Sequence, residues 1–281
     1  MHLFLLTAMA LTAFAANSVL NRFAVGTGQI DPVSFAVVRL LAGAAMLALL
    51  VGLRAVLAGG VVWPGWPGRV PGVLGLTVYL FAFSLAYVAL DAGAGALILF
   101  GAVQITMFAG ALWSREAVPR RRWTGALMAF AGLVVLMWPG AGVALSPLHA
   151  VIMALAGVGF GIYSLAGQRA SDPLAATAAN FVLAVPLGLA AGTLLGVMPV
   201  GATSVGVVSA VVSGAVTSGL GYALWYVVVP QLGAARAAVA QLSVPVLTAV
   251  AGVLLLGEAV DARFVLAAGC VLGGVALASR A

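Results

Sequence analysis

Apolar residues run along this chain in ten blocks, at about 2–24, 32–53, 71–90, 94–113, 123–139, 148–168, 174–195, 203–228, 235–256 and 262–279. Each is close to the twenty or so residues that cross a bilayer as a helix. Charges, Gly/Pro turns or polar clusters separate them. The longest interval, Arg54 to Pro71, holds Gly59-Gly60 and Trp63-Pro64-Gly65-Trp66-Pro67-Gly68, a turn-rich stretch with Trp suited to the headgroup level. The pattern predicts an all-α membrane protein of ten transmembrane helices with no room for a soluble domain. The first block has no basic residues ahead of it and continues past Asn17 without a convincing cleavage site, so it is expected to stay as the first helix.

Composition agrees. Of 281 residues 64% are hydrophobic and 6% charged, against roughly 25% charged in a soluble domain. That excludes a soluble enzyme and a disordered chain, and Cys270, alone, excludes a disulfide scaffold. All twelve basic residues are Arg, and the net charge is +6. Arg excess of this kind marks cytoplasmic loops, so no nucleic-acid partner is expected. With the N-terminus on one side, that side collects Arg54, Arg69, Arg115, Arg120, Arg121, Arg122, Arg169, Arg236 and Arg280; the other has Arg22, Arg39 and Arg263. The imbalance puts both termini in the cytoplasm of a plasma (bacterial inner) membrane.

The chain repeats itself. At a shift of 142, Thr106 falls on Thr248, Ala109-Gly110 on Ala251-Gly252, Glu116-Ala117-Val118 on Glu258-Ala259-Val260 and Arg121 on Arg263. Asn17, Asn21 and Arg22 match Ser164, Gln168 and Arg169 at 147, and Asp31-Pro32 answers Asp172-Pro173 at 141. Two five-helix halves, 1–140 and 146–281, follow. Because five is odd, the second enters the membrane from the opposite side, an inverted repeat of the kind many secondary transporters use around a midplane site.

On these residues the chain resembles the drug/metabolite transporter superfamily, in particular its EamA-type members with ten helices. The resemblance is carried by Ala15-Ala16-Asn17-Ser18 with Arg22, Asp31-Pro32 with Arg39, Tyr222-Ala223-Leu224-Trp225-Tyr226, Ala234-Ala235-Arg236-Ala237-Ala238, Pro245 and Leu256-Gly257-Glu258. Val103 stands where a second Pro would match Pro245. The resemblance implies export or exchange of small metabolites, and its aromatic amino-acid exporter branch suggests amino acids.

Intramembrane polar groups cost free energy and are the default site candidates. Asn17 shares a face of the first helix with Phe14 and Asn21, and its counterpart face carries Ser164 and Gln168 beside Tyr163. Gluing helices together by hydrogen bonds is the competing role, and the expected one for Asn21 and Gln168. Tyr79, Phe83 and Tyr87 form a stripe on the third helix; Ser218, Tyr222, Trp225 and Tyr226 form one on the eighth. Tyr87 and Tyr226, nearer the ends, suit a gate. Gln104 lies mid-helix, and Gln241 and Ser243 precede Pro245, which denies the Gln241 carbonyl its ladder donor and suits a hinge. Expected site residues are therefore Asn17, Tyr79, Phe83, Gln104, Tyr163, Ser164, Tyr222, Trp225, Gln241 and Ser243, with Pro245, Tyr87 and Tyr226 as hinge or gate. Arg39, about 10 Å deep at 1.5 Å per residue, could hold a substrate carboxylate. The favoured expectation is that it snorkels or pairs with Asp31 or another terminal acid. Glu116 and Glu258 are expected to cap their repeats against Arg115, Arg121 or Arg263.

No Asp or Glu lies mid-span, which argues against a carboxylate proton relay, and one deep Arg is too few for phosphorylated substrates. Neither a metal nor a cofactor is expected, since His149 and Cys270 lack partners at ligand spacing. No nucleophile–base pair points to an enzyme. The expectation is a monomeric exporter of amino acids with aromatic or other hydrophobic side chains, acting as an uncoupled facilitator or exchanger by alternating access. The alternatives are another neutral or cationic metabolite or drug, or a non-transporting scaffold.

Overall fold

The computed structural model describes residues 2–60, 64–113, 115, 119–138, 145–167, 170–194, 202–232, 237 and 240–279. Gln168, Arg169, Glu116, Arg236 and Arg280, each given a place above, lie outside them.

Among the described residues there are ten apolar helical segments and no strand: α1 (His2–Gly26), α2 (Pro32–Ala58), α3 (Arg69–Ala86), α4 (Ala92–Trp113), α5 (Arg120–Met137), α6 (Pro147–Gly167), α7 (Pro173–Leu194), α8, α9 (Ser243–Leu256) and α10 (Ala262–Ser279). Helix α8 is composite: Ser204–Val212, a π-helical stretch Ser213–Leu220, then Gly221–Leu232. Seven of the ten are long and apolar enough to cross a bilayer, and Trp123–Leu136, Ser243–Leu256 and Ala262–Ala278 are shorter apolar helices. The fold is the all-helical membrane fold expected, with ends shifted by a few residues.

The acids explain where helices start. Asp31 Oδ1 accepts from the backbone N–H of Val33 (3.0 Å) and Ser34 (2.8 Å) ahead of Pro32. Asp172 Oδ1 accepts from Ala175 (3.0 Å) ahead of Pro173, and Asp261 Oδ1 from Phe264 (2.7 Å). Each carboxylate satisfies first-turn donors that have no partner inside the helix, next to the positive end of the helix dipole. The Asp-Pro pairs that signalled the repeat therefore do the same work at α2 and α7.

Helix α3 packs on α6 as α8 packs on α1; α4 packs on α6 as α9 packs on α1; α3 meets α7 as α8 meets α2. The pairs α2–α7, α4–α9 and α5–α10 are also in contact. Glycine makes the closest crossings possible. A Cβ on Gly75 would lie 2.6 Å from the Gly159 carbonyl oxygen, and one on Gly159 would lie 2.7 Å from that of Gly75. Gly125 and Gly274 oppose one another likewise across α5–α10, at 2.3 and 2.5 Å. In lipid, such backbone approach replaces the hydrophobic drive between helices.

Candidate functional site

A polar layer crosses the bundle where α1, α2, α3 and α8 meet. Asn17 of α1 is buried, and its Oδ1 accepts from Ser213 Oγ (2.5 Å) and Thr217 Oγ1 (3.2 Å) of the π-helical stretch. Its Nδ2 donates to Tyr79 Oη at 3.4 Å. Arg39 of α2 is fully buried at 0% exposure; its Nη2 donates to Tyr79 Oη at 2.8 Å, and both Nε and Nη2 lie 3.3 Å from Ser218 Oγ. The guanidinium carbon lies 5.1 Å from the Tyr79 ring centre and 5.0 Å from that of Phe83, within cation–π range.

The π-helical stretch makes this layer possible. Its altered winding places Ser213, Thr217 and Ser218 toward α1 and α2 together, as such insertions often do at functional sites. Gly214 lets the two backbones meet, since a Cβ there would lie 2.2 Å from the Arg39 carbonyl oxygen.

Beside the layer is a cavity of about 30 Å³, room for about two water molecules. Asn17, Ser18, Tyr79 and Phe83 border it from the first half, with Phe14, Leu99, Phe100 and Val103; Thr217, Tyr222 and Gln241 border it from the second, with Phe160. Phe160 joins the rings of Tyr79 (4.9 Å between centres) and Tyr222 (6.5 Å), and Phe14 joins Tyr222 (5.6 Å) to Trp225 (5.8 Å). The lining is thus amphipathic: aromatic faces with a few hydroxyl and amide groups.

Bonded clusters lie toward either end of the bundle. Toward the face that carries the N-terminus, Tyr163 Oη and Tyr226 Oη both bond Thr177 Oγ1, at 2.9 and 2.5 Å. Near that face Arg69 Nη1 also donates to the Ala176 carbonyl (2.6 Å) and Asn180 Oδ1 (2.8 Å), tying α3 to α7. Toward the opposite face, Arg22 pairs with Glu258 and Asp91, each at 3.3 Å, and donates to the Tyr87 and Val88 carbonyls. Glu258 accepts from the Ala92 N–H with both oxygens at 2.9 Å. A second cavity of about 30 Å³ lies beyond this cluster, bordered by Asp91, Glu258, Asp261 and Arg263.

Of the residues expected at a site, Asn17, Tyr79, Phe83, Tyr222 and Gln241 come together around the central cavity. Trp225 stands behind Phe14, and Tyr163 and Tyr226 share Thr177. Ser164 Oγ turns back to the Phe160 carbonyl, Ser243 Oγ to that of Ala240, and Tyr87 Oη donates to Ala92 O. Gln104 does not border the cavity; its neighbour Val103 does. Pro245 is buried in the first turn of α9, whose helix begins at Ser243 after a turn at Leu242. Asn21 donates to Ser84 Oγ at 3.0 Å, the gluing role expected of it.

Two expectations are overturned. Arg39 neither snorkels nor pairs with Asp31, whose carboxylate is occupied as the α2 cap. Glu258 does not pair with Arg263, which donates to the Val135 carbonyl at 2.7 Å, but with Arg22. Ser213 and Thr217 were missed; their signal was two hydroxyls four residues apart inside an apolar span.

A helical membrane bundle with an amphipathic central cavity suits a membrane transporter of small molecules. The chain matches the model of the EamA-like transporter family over residues 148–280. It is 46% identical over 277 residues to the uncharacterized protein PA1977 of Pseudomonas aeruginosa, spanning 97% of this chain and 93% of that protein. A crystal structure described only as that of a protein has the same fold, with a TM-score of 0.66 at 22% identity over 97% of this chain and 95% of the other.

Proposed function

We propose that this transporter exports amino acids with aromatic or other hydrophobic side chains by alternating access, as an uncoupled facilitator or exchanger. On this reading residues 1–140 and 146–281 are inverted repeats in a plasma (bacterial inner) membrane, with both termini cytoplasmic and the monomer as the working unit. The observation that carries it is the central cavity: Asn17 and Tyr79 from one half face Thr217, Tyr222 and Gln241 from the other. Aromatic faces suit an apolar side chain, and the amide and hydroxyl groups suit a polar backbone.

At about 30 Å³ the cavity is too small for an amino acid, so this arrangement corresponds to a closed step of the cycle. Loading requires one of the two bonded clusters to part. Release requires the other to part while the first re-forms. No Asp or Glu lies within a described helix except at its ends, which favours transport down a gradient over proton coupling through carboxylates.

Liposomes preloaded with labelled amino acids and containing the purified protein test the reading. Efflux should be saturable, fastest for aromatic and branched side chains, and present without a pH gradient. Indifference to every amino acid would remove the substrate class, and strict dependence on an imposed pH gradient would remove the uncoupled mechanism.

A further inference from the structure

Arg39 holds a buried positive charge that no carboxylate answers among the described residues. Its neighbours are two hydroxyls and two aromatic faces, and Nη1 has no hydrogen-bond partner. A guanidinium cannot shed its proton to escape burial, and an uncompensated charge out of water is costly. The direction of its hydrogen bonds decides what that charge does. Tyr79 Oη accepts from Arg39 Nη2 and from Asn17 Nδ2, and an amide NH₂ and a guanidinium can only donate. The Tyr79 hydroxyl therefore has its own hydrogen left to give, toward the neighbouring Tyr222 hydroxyl or the cavity that both residues border. Asn17 is held in this orientation because Ser213 donates to its Oδ1; Thr217, whose shorter bond is to the Ser213 carbonyl, lies 3.2 Å from the same oxygen.

We infer that Arg39, acting through the Tyr79 hydroxyl, makes the central cavity a site for a single carboxylate. Tyr79 donates to the carboxylate, and Arg39 is a positioning residue that polarises the phenol and supplies the compensating charge at low dielectric. One fixed cation matches one carboxylate and falls short of a phosphate. The required substrate group is thus the carboxylate itself, which separates amino acids and aryl acids from amines, amides and cationic drugs. This inference rests on the cavity being the transport site.

Binding to the purified full-length protein, followed by intrinsic fluorescence, tests it with four matched probes: phenylacetate, phenylalanine, phenylalaninamide and phenethylamine. The two carboxylates should bind at least about tenfold more tightly than the two compounds without one, the scale of a hydrogen bond to a charged group. Arg39→Gln and Tyr79→Phe should each bring the phenylalanine-to-phenylalaninamide ratio close to one, a change a purely structural role would not produce. Tyr79→Phe keeps the ring and carries the test if Arg39→Gln does not fold. Equal affinity for acid and amide in the wild type, a ratio unchanged in Tyr79→Phe, or no binding of either carboxylate would each overturn the subsite. Carboxylate binding without amino-acid flux in liposomes would instead leave the subsite standing and remove the transport reading.

Discussion

Arg22 and Glu258, 236 residues apart, meet at 3.3 Å where α1 ends and α9 has just ended. The contact explains how a carboxylate survives beside the C-terminus of its own helix, where the dipole repels it. Glu258 reaches across to the N-terminus of α4, accepting the Ala92 N–H, and draws in Arg22, which also holds Asp91. One cluster thus joins α1, α4 and α9 over the cavity. Removing Glu258 leaves Arg22 and the Ala92 N–H short of an acceptor. With Cys270→Ser as background, a cysteine in place of Ser18 reports whether that face has opened. Glu258→Ala should raise its labelling by an impermeant thiol reagent from that face about tenfold or more, given about 1.5–3 kcal/mol for hydrogen bonds to charged groups. An unchanged rate would mean the cluster does not close the cavity.

The same cluster should respond to pH. Burial, aided by the nearby Asp91, pushes the Glu258 carboxyl above its ordinary value, against the opposing pull of the Ala92 N–H and Arg22; Arg263 is turned away to Val135. Opening exposes the group and lets its pKa fall, so opening releases a proton. The extra stability of the closed face is therefore fully present below the ordinary glutamate value and is lost as pH rises through the raised one. Labelling of the Ser18→Cys reporter, corrected for thiol reactivity, should slow as pH is lowered through this window. Glu258→Gln, which still accepts from Ala92, should abolish that dependence.

Much of this was legible along the chain. The five described acids sit at helix ends, four of them just ahead of a helix, because their spacing from Pro or the next apolar run is a local property. The aromatic and amide stripes were legible too, since helical periodicity assigns a face. What covers a face is not local. Arg39 was misjudged because distance along α2 gives depth but not the neighbours; α3 and α8 bury it and α8 supplies Ser218. Gln104 and Val103 are adjacent in sequence yet differ at the cavity, a rotation of one residue that periodicity cannot resolve across a variable crossing. The π-helical winding of Ser213–Leu220 has no sequence rule strong enough to announce it.

Among the described residues, Asn17 is the one side chain that takes donors from α8 and gives one to α3. Asn17→Ala would strand the Ser213 hydroxyl, while Thr217 keeps its bond to the Ser213 carbonyl, and would remove one of the two donors that leave Tyr79 free to give its hydrogen. Loss of a buried partner costs about 1–3 kcal/mol, so the thermal midpoint should drop. Asn17→Asp would restore the acceptor but not the donor. It should recover stability more than transport, which an efflux assay beside a melting curve separates.

The glycine crossings differ sharply in what they tolerate. Gly159→Ala would drive a methyl into the Gly75 carbonyl and the Tyr79 N–H, 2.7 and 2.9 Å from the new carbon, pushing α3 from α6 and moving Tyr79 with it. Both stability and transport should fall. Gly52, in α2, has nothing within 4 Å of an added carbon, so Gly52→Ala should raise stability by up to about 1 kcal/mol through helix propensity alone. Melting curves of the two variants in the same detergent check the pair, and equal effects would refute close packing at α3–α6.

Pro245 sits third in α9, where a backbone N–H has no partner within the helix and its absence costs little. Helix continuity is interrupted just before it, at Leu242, and Ser243 Oγ donates to the Ala240 carbonyl across the break. The Gln241 carbonyl, deprived of its ladder donor, belongs to a residue that borders the cavity. If α9 bends here as the cavity loads, Pro245→Ala should leave the thermal midpoint equal or higher, because a donor is restored and the break can heal. The same change should slow amino-acid exchange in liposomes severalfold. Unaltered exchange in a protein of unaltered stability would show that the break is a fixed feature of the helix and not a hinge.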